Sequence, residues 1–234
     1  MEALVLVLSS QLARILAYLE ESIYRKDLVG SGHDHTHIQR LLAMRRVVWD
    51  ELHIEYPLLS PTDAEVLDLA LLFHDLNRSR DMRGRHVREA RELFMGTTIR
   101  REGFSEQTII AVIDIVEMSH EKDHDEEPIL LTLLRDLDKS DMGAFGILRM
   151  QGVADERGYG YFQPHDFDQT VPATEGDENL GSVVDDLRFC LEWWDNPKFA
   201  IRSSVIRNKV AHRFAFMRTF LAQLEYEARE LNLI

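Results

Sequence analysis

The sequence predicts an all-α protein, and three observations carry that prediction. Apolar residues recur at steps of three and four along most of the chain. No segment shows the sustained apolar–polar alternation of a strand. Serine and proline stand where the apolar runs begin, as in "SPTDAEVLDLALLFHDL". With 234 residues, 45% of them hydrophobic, the chain is long enough for one domain, expected over 1–234.

The elements follow in order. Residues 3–24 carry Leu4, Leu8, Leu12, Ile15, Leu16 and Leu19 as a helical stripe, and 37–52 place Leu41, Met44 and Val48 on one face. The helix after Ser60 and Pro61 is nearly all apolar and is expected to be buried on most sides. Helical spacing continues over 86–95 and over 105–120, where Ser105 suits an N-cap, and "PILLTLLRDLDKSD" starts a further helix behind Pro128. Residues 152–181, rich in Gly, Asp and Pro, read as a long loop. Two helices are expected beyond it, at 182–194 and 199–231. Their apolar faces, "FAFMRTFLAQL" among them, either cover the core or form a homodimer face.

Net charge is −14. A polymeric nucleic acid or an anionic membrane needs a basic surface, so neither is expected as a partner, whereas a phosphorylated small molecule needs only local positive charge. The single cysteine, Cys190, precludes an intramolecular disulfide and suits a reducing compartment. The opening "MEALVLVLSSQL" is short, lacks a basic start and carries Glu2, unlike a signal peptide, and no run approaches the length of a membrane span. A cytoplasmic protein is the expectation.

The informative residues are polar ones at the ends of apolar stripes. His37 leads Leu41, Met44 and Val48. His74 and Asp75 end the most apolar helix. His120 continues the Ile109, Ile113 and Val116 face, His86 precedes Ala90 and Leu93, and Asp138 follows Leu131 and Leu134. Singly, a histidine on an apolar face is more often a core residue bonded to a carbonyl. An inward carboxylate is costlier, so Asp75 and Asp138 need cations nearby. Several histidines and two carboxylates in one core are most simply reconciled by a divalent metal, with Mn, Fe, Co, Ni, Mg or Zn all compatible.

These segments also carry a resemblance. "HDHTHIQR", "LALLFHDLNRSR", "RHVREARELF", "IVEMSH" and "DLDKSDMGAFGILR" occur in the order of the motifs of the HD superfamily of metal-dependent phosphohydrolases, and the chain resembles its small single-domain bacterial members over about 30–150. The resemblance implies an all-α helical bundle and a metal held by His37, His74, Asp75 and Asp138, with Asp75 catalytic. His86 and His120 are then positions for a second metal or for phosphate. His33-Asp34 and "PHDF" at 164–167 look like the doublet but fall in loops. The Asp segment is one residue tighter than the family pattern, which keeps Asp136 as the runner-up to Asp138. HDxxED, associated with alarmone hydrolysis, is absent, as are the Gly-Tyr-Pro signature of cyclic-di-GMP phosphodiesterases and the glutamate of some 5′-nucleotidases, replaced by Arg78.

Six arginines lie in "NRSRDMRGRHVREAR". Arg88 and Arg91 read as a solvated helix face with Glu89 and Glu92 as partners. By resemblance, Arg80, Lys139 and Arg149 are the phosphate-binding cations. In the long loop, Tyr159, Tyr161 and Phe162 either stack on a nucleobase or pack locally. The implied function is hydrolysis of a nucleotide or related phosphate ester, with nucleoside triphosphate pyrophosphohydrolysis its sharpest form. The alternatives are a di-iron oxygenase built on the six-ligand set and a non-catalytic metal-binding regulatory module.

Overall fold

The computed structural model describes residues 9–23, 35–78, 82, 85–120, 127–158, 160–173 and 181–234. Among them lie nine α-helices and no strand: α1 Ser10–Ser22, α2 His35–Glu55, α3 Pro61–Phe73, α4 Arg88–Arg101, α5 Glu106–Ser119, α6 Ile129–Lys139, α7 Ala144–Arg157, α8 Val183–Asp195 and α9 Ser204–Glu230. The all-α expectation holds. No helix among the described residues is long and apolar enough to cross a membrane. The chain divides into two compact units, Met1–Asp138 and Lys139–Ile234.

Helix starts follow local chemistry. The hydroxyls of Ser9, Ser60, Ser105, Ser182 and Ser203 each accept the backbone N–H three residues on, at the starts of α1, α3, α5, α8 and α9. At Ser60 the cap is reciprocal, because the Asp63 carboxylate accepts the Ser60 N–H at 2.7 Å. Such a cap contributes about 1 kcal/mol.

In the first unit α3 is the central element, in contact with α1, α2 and α5, while α4 packs on α5. Val66, Leu67 and the run Leu69–Phe73 are all buried, as its apolar composition requires. Each such large side chain contributes about 1.5–3 kcal/mol by leaving water. Arg45 of α2 grips Asp68 of α3 with both its Nε (2.5 Å) and an Nη, and both residues are buried.

In the second unit α7, α8 and α9 contact one another. The turn into α7 contains Gly143 at φ +94°, and a Cβ there would come within 3.0 Å of Arg213 Cβ on α9, so both backbone and packing call for glycine. The expected loop over 152–181 is corrected at its start: α7 continues to Arg157. Between α7 and α8, Gly160 pairs with Ser182 as an isolated parallel bridge, and a 3₁₀ turn covers Pro164–Phe167. Asp166 in that turn accepts bonds from Ser182 and from the Gln163 N–H, so the "PHDF" aspartate has a structural task.

Candidate metal centre

The helix that carries most of the core also delivers the chemistry. His74 is the C-cap residue of α3, and Leu76–Arg78 follow as a 3₁₀ turn. His74 and Asp75 are both buried. His37 is fully buried in the first turns of α2, which packs on α3. Asp138, near the end of α6, keeps 26% of its side chain exposed.

The histidine and carboxylate atoms converge. His37 Nε2 lies 3.2 Å from Asp138 Oδ1 and 3.6 Å from Asp75 Oδ2. His74 Nε2 lies 3.3 Å from Asp75 Oδ2 and 3.7 Å from Asp138 Oδ1. One ligand atom each from His37, His74 and Asp138 falls within 4.8 Å of the others, so the group could hold a metal ion. Ligand bonds of about 2.0–2.2 Å place neighbouring donors about 3–3.5 Å apart, close to these separations.

The protonation of His74 supports the same fit. Its Nδ1 is 2.9 Å from the Leu71 carbonyl, which can only accept, so Nδ1 carries the proton. With Nδ1 so committed, the ring turns its other nitrogen, Nε2, toward two carboxylates. A bare nitrogen there would repel the carboxylate oxygens, and either a proton or a metal cation relieves that repulsion. Burial, the largest single influence on this imidazole, lowers its pKa, but Asp75, Asp138 and the Leu71 carbonyl together raise it above the ordinary histidine value. The field that favours a proton there also favours a divalent ion.

His120, at the C-cap of α5, has a buried Nε2 with no hydrogen bond among the described residues. Burial pushes its pKa down to about 4, with Arg91 and His74 acting in the same direction and Glu117 and Asp75 opposing. It is therefore a neutral ring within electrostatic range of the cluster.

Other expected residues fall elsewhere. His86 lies in the 3₁₀ turn Arg85–Val87, before α4 begins, and is exposed, as are Ala90 and Leu93 within α4, so the expected inward stripe is corrected: it marks the solvent face. Asp136 is buried on α6 and is outside the group that could hold a metal. Lys139, in the second unit, donates to the Phe199 carbonyl at 2.8 Å, and Arg149 is buried on α7. Arg80, His33, Asp34 and Tyr159 lie outside the described residues. Tyr161 is exposed, while Phe162 packs edge-on against Phe167 with centroids 5.6 Å apart.

One expectation about the arginines reverses. Arg88 does bond Glu92, at 2.7 Å. Arg91, however, is buried and pairs bidentately with the equally buried Glu117, at 2.9 and 2.6 Å. The missed signal was Glu117 itself, a carboxylate one residue beyond Val116 in an apolar helix.

An all-α fold with these helices is shared with solved bacterial proteins. A Lactobacillus plantarum protein, solved as a structural-genomics target, matches with a TM-score of 0.66 and 17% sequence identity, covering 96% of this chain and 99% of its own. Bacillus subtilis YpgQ in complex with ADP matches with a TM-score of 0.64 and 20% identity, covering 93% of this chain and 94% of its own. A second YpgQ structure gives 0.60 and 18%. These likenesses establish the fold. No protein-family model matches the chain, and no curated protein is significantly similar to it in sequence.

Proposed function

We propose that this protein is a metal-dependent phosphohydrolase of the HD type that acts on a nucleotide, most specifically a nucleoside triphosphate cleaved to monophosphate and pyrophosphate. The observation that carries the reading is the His74 ring, whose Nδ1 proton is committed to Leu71 while its Nε2 faces Asp75 and Asp138 beside His37. The five HD-like segments and the ADP bound by YpgQ, a protein of the same fold, support the substrate class.

His37, His74, Asp75 and Asp138 would hold the ion. A bound divalent ion supplies Lewis acidity, lowering the pKa of a water and drawing charge from a phosphoryl oxygen. The chain's own groups do the rest. The Asp75 carboxylate, 3.3 Å from His74 Nε2, accepts the proton of the attacking water. The water oxygen bonds to the α-phosphorus, the bond from that phosphorus to the bridging oxygen breaks, and pyrophosphate departs. Neutral His120 offers a nitrogen lone pair for a second ion or for a proton shared with phosphate. By resemblance, Arg80, Lys139 and Arg149 are the proposed phosphate-binding cations. The oxygenase alternative needs His86 in a six-ligand set, and the exposed His86 ring weighs against it.

Phosphorus NMR of the protein with Mn²⁺ and a mixture of nucleoside triphosphates tests the reading. Monophosphate with pyrophosphate is the expected result. Orthophosphate as first product would make it a phosphatase, and an unchanged spectrum would defeat the triphosphate assignment.

A further inference from the structure

The Arg91 guanidinium is shared among three parts of the first unit. From α4 it reaches Glu117 of α5 with Nε and Nη2, and its Nη1 donates to the Met82 carbonyl at 2.9 Å. Glu117 is approached by a second arginine as well, Arg88, whose Nε lies 3.7 Å away. Arg91 and Glu117 are 3% and 4% exposed, so the pair has given up almost all its hydration. Buried ion pairs of this kind add little stability over apolar residues of the same volume, and stability therefore gives no reason for having one here. What the pair does supply is direction, since a planar fork with three engaged donors fixes its partners' relative positions.

Its partners are telling. The Glu117 carbonyl accepts the backbone N–H of His120 at 3.2 Å, which sets the end of α5 and the place of that ring. Met82 follows the α3 end that bears His74 and Asp75 by seven residues. We infer that Arg91 and Glu117 form a positioning pair, which holds the Met82 backbone and His120 in register with the His74–Asp75 end of α3 without touching substrate. The inference rests on the phosphohydrolase reading for its catalytic consequence, and on geometry alone for its structural one.

The test is the double variant Arg91→Met/Glu117→Leu, which removes both charges and leaves neither unpaired. Its melting temperature is expected to stay within about 3 °C of the parent. Native-state trypsin cleavage after Arg80 or Arg83 should rise at least tenfold. With Mn²⁺ and nucleoside triphosphate, kcat should fall at least tenfold while KM changes less than twofold, because misplacement of about 1 Å can cost that much or more. Should the double variant fail to melt cooperatively, Arg91→Lys, which keeps the charge but loses the three-nitrogen fork that spans Glu117 and Met82, takes its place in both measurements. An unchanged cleavage rate in a folded variant overturns the inference, and so does an unchanged kcat. A parent protein inert toward triphosphates defeats the functional reading alone, and the cleavage rates then decide the role of the pair.

Discussion

The rings of His37 and His74 lie with centroids 5.4 Å apart and planes inclined at 58°. Two helices, α2 and α3, thereby aim two Nε2 atoms at the same pair of carboxylates. Removing either ring should weaken metal binding at the proposed centre. Calorimetric titration with Mn²⁺ is expected to show at least a hundredfold weaker binding for His37→Ala and His74→Ala; affinity equal to the parent in either variant would contradict the centre.

The choice between the two aspartates of α6 can be made by separating stability from binding. Asp138 is partly exposed and grouped with the histidines, whereas Asp136 is buried apart from that group. Asp138→Asn should lose Mn²⁺ affinity with little change in urea midpoint. Asp136→Asn should show the reverse, a lowered midpoint with binding retained. Metal loss confined to the Asp136 variant would exchange their assignments.

Acid should weaken the metal-free protein through His120. The unfolded chain binds this proton near pH 6.5, the folded one only near 4, so stability is lost as pH falls between those values. The shift corresponds to about 3 kcal/mol, which partial exposure of the ring reduces to about 2. His74 acts with the opposite sign, because its folded pKa is raised and its contribution disappears as pH rises. The informative quantity is thus the difference between parent and His120→Gln in urea unfolding at pH 7.5 and pH 5 with chelator present. Equal losses in both proteins would show that His120 is not the group responsible.

The Arg45–Asp68 pair joins α2 to α3, and the Arg45 guanidinium also lies 5.5 Å from the centroid of the Trp49 ring. Asp68→Ala strands a buried cation and should cost about 3–5 kcal/mol by denaturant unfolding. Arg45→Met/Asp68→Leu should recover most of that loss. A double variant as unstable as the single one would show that the charges themselves stabilise the helix pair.

Much of this is legible in the sequence. Ser60 and Pro61 wrote the start of α3, and its unbroken apolar run wrote its burial. His37, His74, Asp75 and Asp138 stood out because polarity contradicted position, and they do converge. The His86 stripe misleads because Ala90 and Leu93, the residues that define it, lie on the solvent face of α4, so two apolar residues at helical spacing do not by themselves mark an inward face. Arg91 misled for a different reason: spacing offered Glu89 and Glu92 nearby, but the partner came from another helix, and a pair distant in sequence leaves no local pattern. α7 escapes the spacing argument altogether, and its last turns fall in the stretch read as loop because Gly152, Asp155 and Gly158 resemble loop composition.

The five serine caps have a kinetic consequence. At each of these sites, four consecutive residues suffice to say where a helix begins, with no distant contact required. A chain punctuated in this way can nucleate much of its secondary structure early, on the roughly microsecond scale of helix formation. The slow event left to it is the search by which finished helices find one another, and refolding should be paced by that assembly.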